Sequence, residues 1–330
     1  MRIFLVTTWD KPCGIAEHSR MLRDHAEDTD ITIIPEERWL DPQEFFLNVN
    51  AAEDTAGKGV LHLNYHAALH SRWGPEEVKQ AQALGYPVVI TYHDTYAGTK
   101  DQPNSDRAKE LCELADAFVV HEPVEDLPRA IYWRQGVLGA EVPMAFDNPT
   151  GRPLVGTCGF DFPWKNFDLL AEAAKAAGWG VVYVGGNLTA DRVKQLEAKN
   201  PWSLFMTGFR DRGEIVAALA GCDATAFLYT CYNTGTSGAI RMGMAARKPM
   251  LLMRGCRQFR DIYEADDLRS LCTWMEFSKG DITFTLSTVE RGYGMHYIAE
   301  HDSWERLGKR YAVLYRGAGM LVDKEDWEKA

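Results

Sequence analysis

A histidine and an aspartate stand side by side after a strongly apolar segment. His93 and Asp94 follow the run VVITY, which predicts a buried strand. An imidazole at the carboxyl end of a strand can hydrogen-bond a substrate or exchange a proton with it near neutral pH. We therefore predict His93 and Asp94 as catalytic residues. The alternative is a histidine that makes only structural hydrogen bonds.

Two further segments combine residue types that suit phosphate. Lys165 opens a predicted helix after a glycine-bearing loop, where its charge would add to the helix amides. A second strand-to-helix loop offers exposed amides, hydroxyls and a cation for a diphosphate. Its candidate residues are Gly235, Thr236, Ser237, Gly238 and Arg241. The alternatives are a surface lysine and a helix capped by serine or threonine.

A third loop, TWDKPCGIA, carries Gly14 where a helix begins. Its amides favour an anion or a sugar hydroxyl, although an ordinary strand-to-helix turn would have the same sequence. Because the loop has one glycine, it lacks the GxGxxG pattern of dinucleotide-binding enzymes. This absence argues against a dehydrogenase or an epimerase.

Short apolar runs alternate with helical patterns along the whole chain, and they must position these loops. Such runs predict parallel strands that are buried on both faces. We predict an α/β fold of two doubly wound, Rossmann-like domains that face a cleft at the carboxyl ends of their strands. The turn-forming segment DNPTGRP places the domain boundary between residues 150 and 151.

Composition limits the classes of partner. The 330 residues carry a net charge of −11, so the overall field repels nucleic acid and anionic lipid. Seven cysteines without CxxC spacing favour reduced thiols in a cytoplasmic protein over disulfides or a zinc site. No apolar run is long enough to predict a transmembrane helix, and the start predicts a strand instead of a signal peptide.

One segment departs from the acidic average. Residues 241–260 contain six arginines and lysines and no acidic residue. This segment could hold the diphosphate of a donor, or an anionic acceptor such as a lipid-linked phosphate or a modified nucleic acid. The alternative is a solvated face that is balanced by neighbouring acids.

The order of these segments resembles the GT-B glycosyltransferases of the retaining group that includes sucrose and glycogen synthases. The segments are CGIAEHS, VVITYHD, VGTCGFDFPWKNFDLLAEA, FMTGFRDR and SGAIRMGMAARKPML. The resemblance implies sugar transfer from a nucleotide sugar, a UDP- or GDP-sugar, with retention of configuration. Because no DxD motif stands in a convincing loop and cationic groups can replace Mg²⁺ at the diphosphate, we expect no obligatory metal or other cofactor. The acceptor could be a sugar, a small molecule, a glycolipid or a modified nucleic acid, and the oligomeric state is open.

The resemblance also implies roles for individual residues. Gly14 would face the donor phosphate and the acceptor, His93 would touch the transferred sugar, and Lys165 would bind phosphate. A loop past the nucleotide base would comprise Gly208, Phe209 and Arg210. The domains would be 1–150 on the acceptor side and 151–302 on the nucleotide-sugar side, with a final helix at about 303–330 returning to the first.

The chain departs from this family at its paired glutamates. Their positions, eight residues apart, hold Thr234 and Met242 here, although the Ser-Gly-Ala-x-Arg sequence that begins at Ser237 resembles some branches. The second glutamate normally holds the ribose. A non-catalytic protein that binds a sugar nucleotide or a glycan is therefore the alternative to an enzyme.

Overall fold

A computed structural model separates the chain into two α/β units. Unit 1 comprises Met1–Gln135 with Trp304–Ala330, and unit 2 comprises Gly136–Ser303. The structure describes residues 1–9, 13–35, 59–66, 73–93, 104–124, 127, 129–138, 148–230, 236–289 and 302–320.

The apolar runs of unit 1 form one parallel sheet. Its strands are β1 (Arg2–Thr7), β2 (Asp30–Pro35), β3 (Val60–Tyr65), β4 (Val88–Tyr92), β5 (Ala117–Val120) and β6 (Ala130–Tyr132). Their order is β2-β1-β3-β4-β5-β6, and every neighbouring pair is parallel. The connecting helices are α1 (Gly14–His25), α2 (Pro75–Ala83) and α3 (Asn104–Leu114). Every residue of β3 and β4 is buried, as expected for central strands covered on both faces.

Unit 2 repeats the arrangement. Its strands are β7 (Leu154–Cys158), β8 (Gly180–Gly185), β9 (Leu204–Thr207), β10 (Ala224–Phe227), β11 (Met250–Met253) and β12 (Cys272–Met275), in the parallel order β12-β11-β10-β7-β8-β9. The helices are α4 (Phe167–Ala177), α5 (Ala190–Lys199), α6 (Arg212–Ala220), α7 (Gly238–Ala245), α8 (Arg260–Tyr263), α9 (Asp266–Arg269) and α10 (Lys279–Thr288). The predicted fold class of two doubly wound α/β domains is confirmed.

Each sheet has a point where the direction of strand addition reverses. It lies between β1 and β3 in unit 1, and between β7 and β10 in unit 2. The loops at the carboxyl ends of the strands diverge there, which makes this point the usual ligand crevice of doubly wound sheets. Residues that follow β1, β7 and β10 are therefore the first places to look for a site.

The chain passes from unit 1 to unit 2 between Gln135 and Gly136, which is before the boundary predicted from the sequence. The Val137 amide donates to the Asp302 oxygen at 2.8 Å, and both residues belong to unit 2. The boundary predicted after residue 150 thus falls inside unit 2. Helix α11 (Trp304–Met320) belongs to unit 1, where it packs against α1.

Candidate functional site

Three histidine rings come together at the carboxyl edge of the unit 1 sheet. His93 follows β4 and His121 follows β5, and because Tyr92 pairs with Val120 the two histidines lie at the same level. His18 reaches them from α1 and is fully buried. One ring nitrogen from each histidine lies within 4.8 Å of the others. We call these three residues the histidine cluster.

The hydrogen bonds of the cluster determine which ring nitrogen of each histidine donates and which accepts. The Trp133 oxygen accepts from His121 Nδ1 at 2.8 Å, so the Nε2 atom of a neutral His121 is an acceptor. His18 Nε2, at 3.0 Å, must then donate to it. His18 Nδ1 accepts from the Asn64 amide nitrogen at 3.3 Å, and the Asn64 oxygen accepts from His93 Nε2. In this arrangement Nδ1 is the basic nitrogen of His93.

The orientation of the Asn64 amide follows from its neighbours on α1. Ser19 Oγ donates to the Ile15 oxygen at 3.0 Å and lies 2.5 Å from the Asn64 amide nitrogen. Because a hydroxyl has a single proton, Ser19 accepts from the Asn64 NH2 group, which turns the Asn64 oxygen toward His93. Asn64 therefore positions the His93 ring.

Sequence reasoning missed both His18 and Asn64. Each is a polar residue within an apolar pattern, His18 on the buried face of α1 and Asn64 in the strand VLHLNY. Buried polar groups need hydrogen-bonding partners, so such positions are a usable signal. The partners themselves come from distant segments of the chain.

A different histidine, His62, has a structural role in unit 1. Its Nδ1 atom lies 2.7 Å from the Tyr315 hydroxyl, and its Nε2 atom lies 2.9 Å from Thr91 Oγ1. Burial lowers the pKa of His62 to about 3, with repulsion from His121 contributing, so the ring is neutral near pH 7. It connects α11 to the sheet and lies outside the histidine cluster.

The site of unit 2 centres on Lys165. This residue ends a short 3-10 helix, Pro163–Lys165, and is 6% exposed. Its Nζ atom lies 5.4 Å from the ring centre of Trp164 and 5.0 Å from that of Tyr229. Burial lowers the pKa of Lys165 to about 8, against the attraction of Cys158 and Asp161. Among the described residues, no carboxylate lies within ion-pair distance of Nζ.

The amine lies close to the amino terminus of α7. Gly159 has a positive φ of +105°, and a β-carbon there would collide with Lys165 Nζ and would lie 3.4 Å from the β-carbon of Ala239. The Cys158 thiol also donates to the Ala239 oxygen at 3.4 Å. Ser237 occupies the N-cap position of α7 without a capping bond from its side chain. A cation and helix amides thus meet at the switch point between β7 and β10.

Asn166, the residue after Lys165, holds the Lys165 loop in place. Its backbone is left-handed, with a φ of 56°, which asparagine tolerates well. Its side-chain amide donates to the Leu228 oxygen at 2.7 Å and the Trp164 oxygen at 3.0 Å. These bonds fix the Lys165 loop to the end of β10.

The loop before Lys165 is held by a second set of contacts. Arg192 lies 2.6 Å from Asp161 and also pairs with Asp168. Hydrogen bonding to Arg192 lowers the pKa of Asp168. Both carboxylates of this loop region are thereby directed to Arg192 and not to Lys165.

The structure places the predicted base-binding loop directly after β9. Gly208 has a left-handed φ of +83°, Phe209 is 53% exposed, and Arg210 lies 3.4 Å from Glu214. An exposed ring at the carboxyl end of a strand is available to stack on a planar ligand. This geometry supports Phe209 more than Arg210, whose charge has a partner.

The remaining predicted residues differ in what the structure shows of them. Gly14 is the first residue of α1, and a β-carbon there would meet nothing within 4 Å. Thr236 and Gly238 lie at the start of α7. Asp94 and Gly235 lie outside the described residues.

Arg241 is buried inside unit 2. It is 2% exposed, and its guanidinium pairs with Asp261, which is 1% exposed. Its Nη1 atom also lies 3.3 Å from Met244 Sδ. Since this charge is already neutralised within the fold, we leave Arg241 out of the site that we propose for the donor.

The basic segment at 241–260 is likewise largely balanced. Arg254 lies 3.1 Å from Glu276, and Arg260 lies 2.6 Å from Glu264. Within the described part of the chain, Arg241, Arg254 and Arg260 each have a carboxylate partner. The geometry favours the alternative of a balanced face over a strongly positive surface.

Comparison with known proteins places this architecture among known folds. No family model matches the sequence, and no curated protein is similar to it in sequence. Solved structures do match over nearly the whole chain. HepE from Anabaena, in complex with UDP and glucose, has a TM-score of 0.64 at 13% identity and covers 96% of this chain and 100% of its own.

Two other solved structures are similar. The lipopolysaccharide outer core galactosyltransferase WaaB has a TM-score of 0.62 at 10% identity, with 96% of this chain and 100% of its own covered. An α-glucosyltransferase in complex with UDP-glucose and abasic DNA has a TM-score of 0.55 at 11% identity, with 96% and 95% covered. This chain therefore has the two-domain α/β fold of the GT-B glycosyltransferases. No helix in the described ranges is long and apolar enough to cross a membrane.

Proposed function

We propose that this chain is a glycosyltransferase that uses a nucleoside-diphosphate sugar as donor. The observation that carries the proposal is Lys165, a buried ammonium group without a carboxylate partner among the described residues, beside the amino terminus of α7. A buried charge is costly unless it is paired, and a diphosphate would supply the missing negative charge. The alternative of a surface lysine at a helix start does not account for this burial.

Catalysis would rest on charge stabilisation and positioning. As the sugar leaves, negative charge develops on the nucleoside diphosphate, and Lys165 with the amides of Gly238 and Ala239 would stabilise it. The fixed loop around Asn166 would hold these groups in place before the reaction. We expect no obligatory metal ion for this step.

The histidine cluster would act on the transferred sugar. With its Nε2 atom bonded to Asn64, His93 would accept a hydrogen bond from a sugar hydroxyl at Nδ1. Because Asn64 and α1 fix the ring, this contact would orient the sugar. Retention of configuration is proposed with it, from the resemblance to the retaining group.

UDP is the proposed nucleotide of the donor. HepE binds UDP and glucose, and the similar α-glucosyltransferase binds UDP-glucose. The exposed ring of Phe209 would stack on the uracil base. For the acceptor, the net charge of −11 and the paired arginines favour an uncharged hydroxyl compound over a nucleic acid.

A nucleotide panel tests the donor site. UDP, GDP, ADP, TDP and CMP are added to the protein, and the melting temperature and dissociation constant are measured. We expect UDP to bind, and Lys165→Gln to weaken UDP about 10- to 100-fold through loss of a charged hydrogen bond. Lys175→Gln, which removes an exposed lysine from α4, is the matched control. Failure of every nucleotide to bind would refute the donor site.

Hydrolysis of UDP-sugars then tests catalysis. We expect slow release of free sugar by the wild type, and loss of this release in His93→Gln with an unchanged affinity for UDP. Tight UDP binding without turnover of any donor or acceptor mixture would instead identify a non-catalytic binding protein.

A further inference from the structure

We propose that the histidine cluster binds a divalent transition-metal ion. His18, His93 and His121 each present one ring nitrogen within 4.8 Å of the other two, and two of the rings are buried. Imidazole nitrogen is a preferred ligand of zinc, cobalt, nickel and copper ions. Three such ligands leave a fourth position for water or another small ligand, as in catalytic zinc sites.

The spacing of the rings fits a tetrahedral ion. Metal–nitrogen bonds of about 2.0–2.1 Å at tetrahedral angles place two ligand nitrogens about 3.3 Å apart and two ring centres about 5 Å apart. The Nε2 atoms of His18 and His121 are 3.0 Å apart. The ring centres are separated by 4.7, 5.0 and 5.5 Å, at interplanar angles of 78°, 52° and 50°. The His18 and His121 nitrogens are already at this separation, and the three ring nitrogens, within 4.8 Å of one another, would draw together on a bound ion.

The outer ring nitrogens of His121 and His93 support the same assignment. Metal-bound histidines almost always donate their second N–H to an oxygen, which fixes the ring and raises its basicity. His121 Nδ1 donates to the Trp133 oxygen at 2.8 Å, and His93 Nε2 donates to the Asn64 oxygen. The ligand atoms would therefore be His121 Nε2 and His93 Nδ1, together with His18 Nε2.

Two aromatic side chains pack against His18 within unit 1. The ring centres of Trp304 and Tyr311 lie 5.0 and 6.3 Å from that of His18. Such an apolar shell limits the access of water and strengthens the bonds of a bound ion. The cluster is therefore better suited to hold an ion than three histidines on an open surface.

The metal-bound and metal-free forms of the cluster differ in the position of one proton, which is carried by His18. In the metal-free arrangement, His18 Nε2 holds the proton that it donates to His121. Metal binding requires that proton to leave Nε2 and move to Nδ1. Since Nδ1 now accepts from the Asn64 NH2 group at 3.3 Å, that hydrogen bond is lost when the ion binds. The two states are thus mutually exclusive, and a metal-binding measurement distinguishes them.

The inference goes beyond the proposed donor site, which lies in unit 2, and it meets the proposed function only at His93. A bound ion would occupy the Nδ1 atom that we assign to the sugar. We therefore expect added zinc to change sugar release from UDP-sugars and to leave UDP affinity unchanged. A test of UDP binding and a test of metal binding therefore have independent outcomes, and failure of one proposal can be distinguished from failure of the other.

Cobalt binding to the full chain tests the proposal. The protein is treated with a chelator, dialysed against Co²⁺, and measured for bound cobalt and for the visible spectrum of a tetrahedral ion. We expect about one cobalt per chain, and a loss of affinity of at least about tenfold in His18→Gln and in His121→Gln. His25→Gln is the matched control, because it removes an imidazole from the same helix outside the cluster.

Another variant separates loss of a ligand from loss of the fold. His121→Cys replaces the imidazole by a thiolate, which also binds cobalt and zinc, so binding should persist with an added sulfur-to-cobalt absorption band. Absence of cobalt binding in the wild type would overturn the proposal. Equal binding in the wild type and in both glutamine variants would overturn it as well.

Discussion

Two of the buried cations of unit 2, Arg241 and Lys165, are in opposite situations. Arg241 is enclosed in the fold and neutralised by Asp261, whereas Lys165 is enclosed with aromatic rings around it and no carboxylate partner in the described part of the chain. Burial costs both of them hydration. The fold compensates this cost for the arginine and leaves it uncompensated for the lysine. A buried charge therefore indicates a ligand only where the fold has supplied no counter-charge.

The largest expected effect comes from breaking the Arg241 pair. Arg241→Met should lower the free energy of unfolding by about 3–5 kcal/mol, because Asp261 would then be a buried charge without its partner. Arg254→Met, which removes an exposed ion pair from the same basic segment, should cost less than about 1 kcal/mol. Denaturant unfolding measures both.

The double variant Arg241→Met with Asp261→Leu should recover much of that stability, because no buried charge remains. Arg241→Met and the double variant should both still bind UDP at temperatures below their unfolding transitions. Unchanged stability with lost UDP binding in Arg241→Met would restore the arginine to the donor site.

A second prediction concerns the space beside Lys165. Gly159→Ala forces a β-carbon against Lys165 Nζ and also strains a left-handed residue. Gly178→Ala shares the positive φ, +80°, but its β-carbon would meet nothing within 4 Å. We expect both to lose about 1–3 kcal/mol of stability and only Gly159→Ala to lose UDP affinity, by about 10- to 100-fold. Calorimetry and thermal unfolding measure the two quantities, and equal UDP affinities would argue against a phosphate contact at Lys165.

The pH dependence of UDP binding follows from the pKa of Lys165. In the free protein this pKa is lowered to about 8, and a bound diphosphate would raise it because it favours the ammonium form. UDP affinity should therefore be highest below pH 8 and fall by up to about tenfold per pH unit above it. In Lys165→Arg the cation persists, so its profile between pH 7.5 and 9.5 should be flat. A wild-type profile as flat as that of Lys165→Arg would contradict the assignment.

The smallest expected effect concerns the uncharged base of UDP. Phe209→Ala should weaken UDP about fivefold, through loss of stacking on the base, and leave the affinity for pyrophosphate unchanged. Phe277→Ala, another exposed phenylalanine of unit 2, is the control. Equal weakening of UDP and pyrophosphate would show that the loop acts on the phosphates instead.

The sequence predicted the local parts of this molecule well. Buried strands such as β4 and β7 are continuous apolar runs, and Lys165 stands next to the residue that holds its loop, Asn166. These features depend on neighbours in the chain. The loops that follow the strands were accordingly identified as the candidate sites.

Features that depend on distant partners were not predictable in the same way. The sequence offers Asp261 only as one of several neighbouring acids that could balance the basic segment, and it does not show that Asp261 pairs with Arg241 inside the fold. His18 and Asn64 come together only because α1 packs against β3 in the folded protein. The division into units at Gln135 and Gly136 depends on distant partners too, because the pairing of Val137 with Asp302 spans most of unit 2.

The position of α11 has a consequence for folding during synthesis. Tyr315 bonds to His62 and Tyr311 bonds to Thr91, so the sheet of unit 1 is completed by a helix that follows unit 2 in the chain. All of unit 2 emerges between them. Unit 2 can therefore close its core while unit 1 still waits, with His62 and the α11-facing side of its sheet in contact with solvent or a chaperone. A chain stalled after residue 303 should hold a folded second half and an unfinished first half.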